Sequence, residues 1–158
     1  MLYIYIAGPL FKEAEINQRR LEAKKITELL VDKNIDYFVA NPIDLPLDNC
    51  KELNSKVIFN EDYKHLKRAN VVFFELASED SGTMVELGNV IEMYMQGKAV
   101  KLYPVIADLR LQRNNVGGIE CPFGMNAYVV GSLTANNIAV FNSFDDALRQ
   151  FALDHQLI

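Results

Sequence analysis

Apolar residues gather in short runs, separated by longer stretches in which they recur every three or four positions. "LYIYIA" at residues 2–7 is such a run, stopped by Gly8-Pro9, and predicts a buried strand and a turn. Residues 13–32 set Ala14, Leu21, Ile26, Leu29 and Leu30 among charges, the pattern of an amphipathic helix. "DYFVAN" (36–41) predicts a second strand, and "NPIDLPLDNC", with two prolines, a loop long enough to be functional. A helix is expected over 55–69 and a third strand over 70–76, whose consecutive apolar residues suit a strand covered on both faces. A further helix runs from Thr83 to Gln96 and stops at Gly97. "KAVKLYPVI" predicts a fourth strand, "NNIAVF" a fifth, and "SFDDALRQFALDH" a last helix capped by Ser143. Residues 107–122, with Gly117-Gly118, are expected to be loop.

Strands alternating with helices require right-handed crossovers and hence a mostly parallel sheet. The expected fold is α/β: a flavodoxin-like doubly wound sheet of about five strands with helices on both faces. Ligands of such sheets sit outside the carboxyl ends of the strands, near the switch point beside the first strand. The loops "AGPLF" and "ASEDSGT" therefore belong at one mouth.

Composition narrows the function. With 158 residues, half of them hydrophobic, the chain is expected to form a single domain over 1–158 with a real core. A net charge of -5 argues against a phosphate-tracking nucleic-acid surface. The start lacks a basic leader and an apolar run of membrane-spanning length, so a cytoplasmic protein without membrane contact is expected. Cys50 and Cys121 match no paired pattern and have only two histidines for company, so they read as reduced thiols and no metal is expected.

Candidate chemistry lies in three acids. Thr83-Met84-Val85-Glu86 fits a capping box, with Thr83 at the N-cap and Glu86 reaching back to its N–H. That reading accounts for Glu86 but leaves Gly88, inside the same helix, calling for a close backbone approach. Asp62 falls in helical register with Ile58 and Leu66, on an apolar face, where a carboxylate must be paired or placed at a cavity. Asp80 sits in the turn before Glu86, where aspartates commonly serve the turn itself. Tyr5, Asp62, Asp80 and Glu86 would converge on one mouth. Crowded carboxyls have their pKa values pushed apart, so one can act as an acid and another as a nucleophile, as glycosyl-bond chemistry requires.

The chain resembles the nucleoside 2-deoxyribosyltransferases. The resemblance rests on Tyr5 in "IYIAGPLF", Asp62 in "NEDYKHLKRANVVFFEL", and the D-x-G-T-x-x-E-x-G pattern of Asp80, Gly82, Thr83, Glu86 and Gly88. It continues through "PFGMNAYV" and "VFNSFDDAL", nearly the whole chain. It implies exchange of 2-deoxyribose between purine or pyrimidine bases through a covalent deoxyribosyl-glutamate, without a cofactor. It casts Glu86 as nucleophile, Tyr5 as its partner, Asp62 as the proton-shuttling acid facing the base, and Asp80 as a sugar ligand. Gly8, Gly82 and Thr83 become substrate-binding positions. Asn126 becomes the asparagine lent to a neighbouring subunit's site, which implies a homo-oligomer with shared active sites. The family asparagine stands in an N-L-M-like context, whereas this chain reads "GMNAYV". The ending departs too: "HQLI" replaces the family's frequent terminal aromatic residue.

Two other functions fit the same acidic core. A 2-deoxynucleoside 5′-monophosphate N-glycosidase would place Ser or Arg just after the first strand, where this chain has "AGPLFKEAE". A non-catalytic nucleotide-binding module would have no need of Asp62 on an apolar face.

Overall fold

The apolar runs become strands, and those at 2–7 and 71–75 are buried on both faces. In the computed structural model, which describes residues 1–46, 52, 54–112 and 123–158, β1 is Leu2–Ala7, β2 Tyr37–Ala40, β3 Val71–Glu75 and β4 Lys101–Val105. They form one parallel sheet in the order β2-β1-β3-β4, with Tyr5 opposite Ala40 on one side and Val72 on the other. Helices α1 (Glu13–Asp32), α2 (Ser55–Arg68), α3 (Ser81–Met95), α4 (Ala127–Thr134) and α5 (Phe144–Asp154) cover it. This is a flavodoxin-like doubly wound α/β arrangement.

Strand alternation divides the core in two. Tyr3, Tyr5 and Ala7 join Val72, Phe74 and buried residues of α2, α3 and α4 on one face. Ile4 and Ile6 join Phe73, Tyr103 and buried residues of α1 and α5 on the other. Phe73 packs against Tyr103, Phe144 and Phe151 with ring centroids 5.0, 5.4 and 5.6 Å away, which ties α5 to the sheet.

The sheet has four strands among the described residues, not five. "NNIAVF" contributes a single parallel bridge, Val105 to Phe141, in which the Phe141 N–H donates to Pro104 O (2.8 Å) and the Ile106 N–H to Phe141 O (2.9 Å). The next rung toward the start of β4 would need an N–H from Pro104, which proline lacks. Helix α4 is absent from the sequence reading because "AYVVGSLT" is rich in residues that favour strands and contains a glycine. On α1 the buried stripe is Arg19, Glu22, Ile26 and Leu30, while Leu21, expected inside, is 45% exposed. Gly97 ends α3 with φ +88°, and Ser143 caps α5 by accepting the Asp146 N–H at 3.1 Å. Cys50, Cys121 and Gly117-Gly118 lie outside the described residues. Among the described residues, no helix is long and apolar enough to cross a membrane.

Candidate active site

The β1–α1 and β3–α3 loops meet at the carboxyl edge of the sheet, with the outer face of α2 opposite them. They enclose a cavity of about 460 Å³ that includes Gly8, Phe11, Asp62, Asp80, Thr83 and Glu86. Tyr5 stands beneath it in the middle of β1, fully buried, and its hydroxyl donates to Glu86 Oε1 at 2.6 Å. Glu86 therefore turns toward the central strand. Its other oxygen has no partner among the described residues.

The helix begins earlier than the capping box predicts. Asp80 is the N-cap: Oδ1 accepts the Thr83 N–H (3.1 Å) and Oδ2 the Thr83 hydroxyl (2.6 Å), leaving both residues buried. Two overlapping cap patterns, D-x-x-T and T-x-x-E, compete in this sequence, and the earlier one wins because Thr83 satisfies both oxygens of the aspartate. Glu86 then lies beyond the first turn, where the helix macrodipole has faded. Its carboxyl is pushed up to about 7, chiefly by burial, with Asp62 and Asp80 adding repulsion and the Tyr5 hydroxyl opposing both. Its surroundings thus favour the protonated form. Tyr5 is itself held neutral, its pKa raised by burial and then by Glu86 and Asp62.

Asp62 projects from α2 into the cavity with no hydrogen-bond partner among the described residues, and burial followed by Glu61 pushes it up to about 6. The face it shares is less buried than its register suggests. Leu66 is inside, but Ile58 and Phe59 are exposed at the cavity rim, where Phe59 stacks on Tyr63 at 5.2 Å. Phe11 faces them from the β1–α1 loop, giving the mouth a mostly apolar wall, and Asn89 lies one turn beyond Glu86. Sequence reasoning put the loop of Phe11 at the mouth and Ile58 beside Asp62, but gave neither of them, nor Phe59, Tyr63 or Asn89, a part in the site. Exposed aromatic residues on two elements close in space leave no periodic signal.

The glycines divide. A Cβ on Gly8 would strike the Arg19 guanidinium and lie 3.0 Å from Glu75 Cβ, while one on Gly82 would lie 3.2 Å from Asp80 Oδ1. Gly88 has open space where a Cβ would stand, so the close backbone approach expected there is absent within the described chain. Asn126 is not at the cavity. It caps α4, accepting the Tyr128 N–H at 2.9 Å, on the exposed surface.

A somewhat larger cavity, about 540 Å³, lies across the β1–α1 loop. Its main charges are already matched, Lys25 with Asp145 at 2.6 Å and Arg19 with Glu75 at 2.6 Å, whereas Asp62 and one oxygen of Glu86 are unpaired in the smaller one. Reactive groups must be available to a ligand, which places the candidate site at the smaller cavity. No cluster of three or more metal-ligating side chains occurs among the described residues.

Fold and cavity define a doubly wound α/β protein with a candidate small-ligand site of clustered, largely buried acids at its switch point. The chain belongs to the nucleoside 2-deoxyribosyltransferase family, whose model matches residues 4–119. That family works on nucleosides and bases, and membership places the chain among glycosyltransferase-type enzymes. It is 27% identical to an uncharacterized protein of Ureaplasma parvum serovar 3, over 96% of this chain and 94% of the other. Among solved structures it resembles a conserved protein from Enterococcus faecalis V583, with TM-score 0.69, 25% identity and coverage of 94% and 96%. The 2-deoxyribosyltransferase of Leishmania mexicana shares the fold, with TM-score 0.57, 21% identity and coverage of 98% and 99%.

Proposed function

We propose that the protein exchanges 2-deoxyribose between nucleobases by double displacement on Glu86. The observation that carries this reading is the 2.6 Å hydrogen bond from buried Tyr5 to one oxygen of Glu86, which leaves the other oxygen facing the cavity with Asp62. The unpaired oxygen attacks C1′ of a deoxynucleoside as the C1′–N bond breaks. The bonding pair leaves with the base, and Asp62 delivers a proton to it, so that a poor leaving group does not depart as an anion. An incoming base attacks C1′ from the vacated side, returns its proton to Asp62 and releases the Glu86 carboxylate. Two inversions give net retention. Tyr5 aims the carboxylate, and Asp80, with an acceptor site left on each oxygen, receives a sugar hydroxyl beside Gly8, Gly82 and Thr83. Asn126 keeps its amide N–H groups for a neighbouring copy in a homo-oligomer. The reaction needs no cofactor.

The mouth favours an unphosphorylated donor. No Lys or Arg stands among the described residues that line the cavity, whereas a 5′-phosphate beside three acids would need one. With deoxyadenosine and free cytosine the enzyme is expected to form deoxycytidine and adenine. Release of adenine only from deoxyadenosine 5′-monophosphate, without exchange, would assign the hydrolase instead. Deoxynucleoside binding without either reaction would assign a non-catalytic module.

The acids also set a pH dependence. The reacting form carries one proton on the pair, on Asp62, with Glu86 ionised. Glu86 and Asp62 titrate near 7 and 6 as a coupled pair, so the singly protonated pair is most populated between those values, mainly with its proton on Glu86, and the reacting arrangement rises and falls with it as the smaller share. We expect kcat/KM for exchange to follow a bell, falling below about 6 as the pair gains its second proton and above about 7 as it loses its last. A profile still rising at pH 9 would contradict a proton donor in this pair.

A further inference from the structure

The chemistry above makes no use of the most deeply buried charge among the described residues. Arg19 on α1 has a side chain only 2% exposed, and its Nη2 donates to Glu22 Oε1 (2.8 Å) and Glu75 Oε2 (2.6 Å). Nε and Nη1 find no acceptor among the described residues. Leaving guanidinium N–H groups buried and unpaired is disfavoured, so the shape of the group must serve something besides its ion pairs. Its position supplies the reason. Nη1 occupies the space that a side chain on Gly8 would need, with Cζ 3.0 Å from that Cβ position. Gly8 is thus seated on the guanidinium from one side and lines the reactive cavity on the other.

The same loop is held at its far end. Glu15 Oε2 accepts the N–H groups of Phe11 and Lys12, each at 2.9 Å. The segment held between these points ends in Leu10 and Phe11, which form part of the cavity wall. Through Glu75, the last residue of β3, Arg19 also joins this loop to the strand that leads to Asp80.

We infer that Arg19 is a positioning residue: its guanidinium seats Gly8 and so holds the Gly8–Phe11 segment in the form that accepts the nucleoside. The role in catalysis rests on the transfer reaction proposed above. The seating itself does not.

Arg19→Lys keeps the positive charge beside Glu22 and Glu75 but removes the planar group under Gly8. We expect amide hydrogen exchange at Phe11, whose N–H is held by Glu15, to speed up by ~10-fold, and KM for the deoxynucleoside to rise ~10-fold with kcat little changed, the signature of lost ground-state and transition-state binding alike. Gly8→Ala should lower kcat/KM by ~100-fold in the parent and by clearly less in the Arg19→Lys background, because the methyl and the guanidinium compete for one space. Unchanged exchange at Phe11, an unchanged KM, or an equal Gly8→Ala penalty in both backgrounds would overturn the inference. Should Arg19→Lys fail to fold, Gly8→Ala alone still decides it, since normal loop protection and normal KM in that variant would refute the seating. Absence of base exchange in the unaltered protein would remove the transferase reading, while the loop exchange measurement would still judge the seating.

Discussion

Glu86→Gln should abolish base exchange, by on the order of 10⁴-fold or more in kcat, and in the same protein raise the unfolding temperature at pH 8. The two effects have opposite signs for one reason. A buried carboxylate that must attack C1′ has to be ionised, and ionisation is what its surroundings resist. Glu86 titrates near 7 in the folded chain against 4.5 for an ordinary glutamate. A carboxyl raised on folding contributes stability that is fully present below the unfolded value and is lost as pH climbs through the folded one. At pH 8 the native protein therefore carries a penalty of about 3 kcal/mol, from 2.5 units at 1.36 kcal/mol each, that a neutral glutamine avoids. Gln still offers Tyr5 an acceptor oxygen. The gain should shrink toward pH 4, where glutamate is protonated in both states. Activity measurements and thermal melts at pH 4 and pH 8 check both halves. A variant that keeps exchange, or one that is less stable at pH 8 than the parent, would refute the assignment of Glu86.

Asp62→Asn carries the second large effect. Loss of the proton donor should lower kcat/KM by roughly 10²- to 10⁴-fold for ordinary bases, and much less for a deoxynucleoside whose electron-poor base leaves readily without protonation. The limb of the bell above pH 7 should disappear. The acid limb should remain, now reporting the ionisation of Glu86 alone. Rates measured across bases of graded acidity and across pH would show this pattern. A uniform loss over all leaving groups would make Asp62 a structural residue rather than an acid.

The architecture was legible where one local signal had no competitor. Helix α1 runs over the residues predicted, because "AGP" fixes its beginning and its charges admit no strand. Gly97 and Ser143 mark helix ends through backbone chemistry that depends on the residue itself. Legibility failed where the outcome depended on neighbours in space. The fifth strand was lost to a missing N–H on the adjacent strand, at Pro104. The start of α3 moved from Thr83 to Asp80 because a threonine can be either a cap or the partner of one. In the site, Glu86, Asp62 and Tyr5 came out of the sequence as a set, and the fold brings Tyr5 to Glu86 and sets Asp62 in the same cavity. The Arg19 stripe was visible in principle, since 19, 22, 26 and 30 share a helical face, but charge on an apolar face reads as an error in periodicity until its partner on β3 is known.

Tyr5 has one further consequence for how such a protein can diversify. The tether on Glu86 comes from the centre of β1, a strand with a neighbour on each side, whereas the rim that would meet the base is carried by a loop and the exposed side of a helix. Selectivity can drift at Phe11, Ile58 and Phe59 without the reactive oxygen changing place. In the proposed reaction the nucleophile is held from the sheet while the rim is not, so altered base preference can arise by rim substitutions alone.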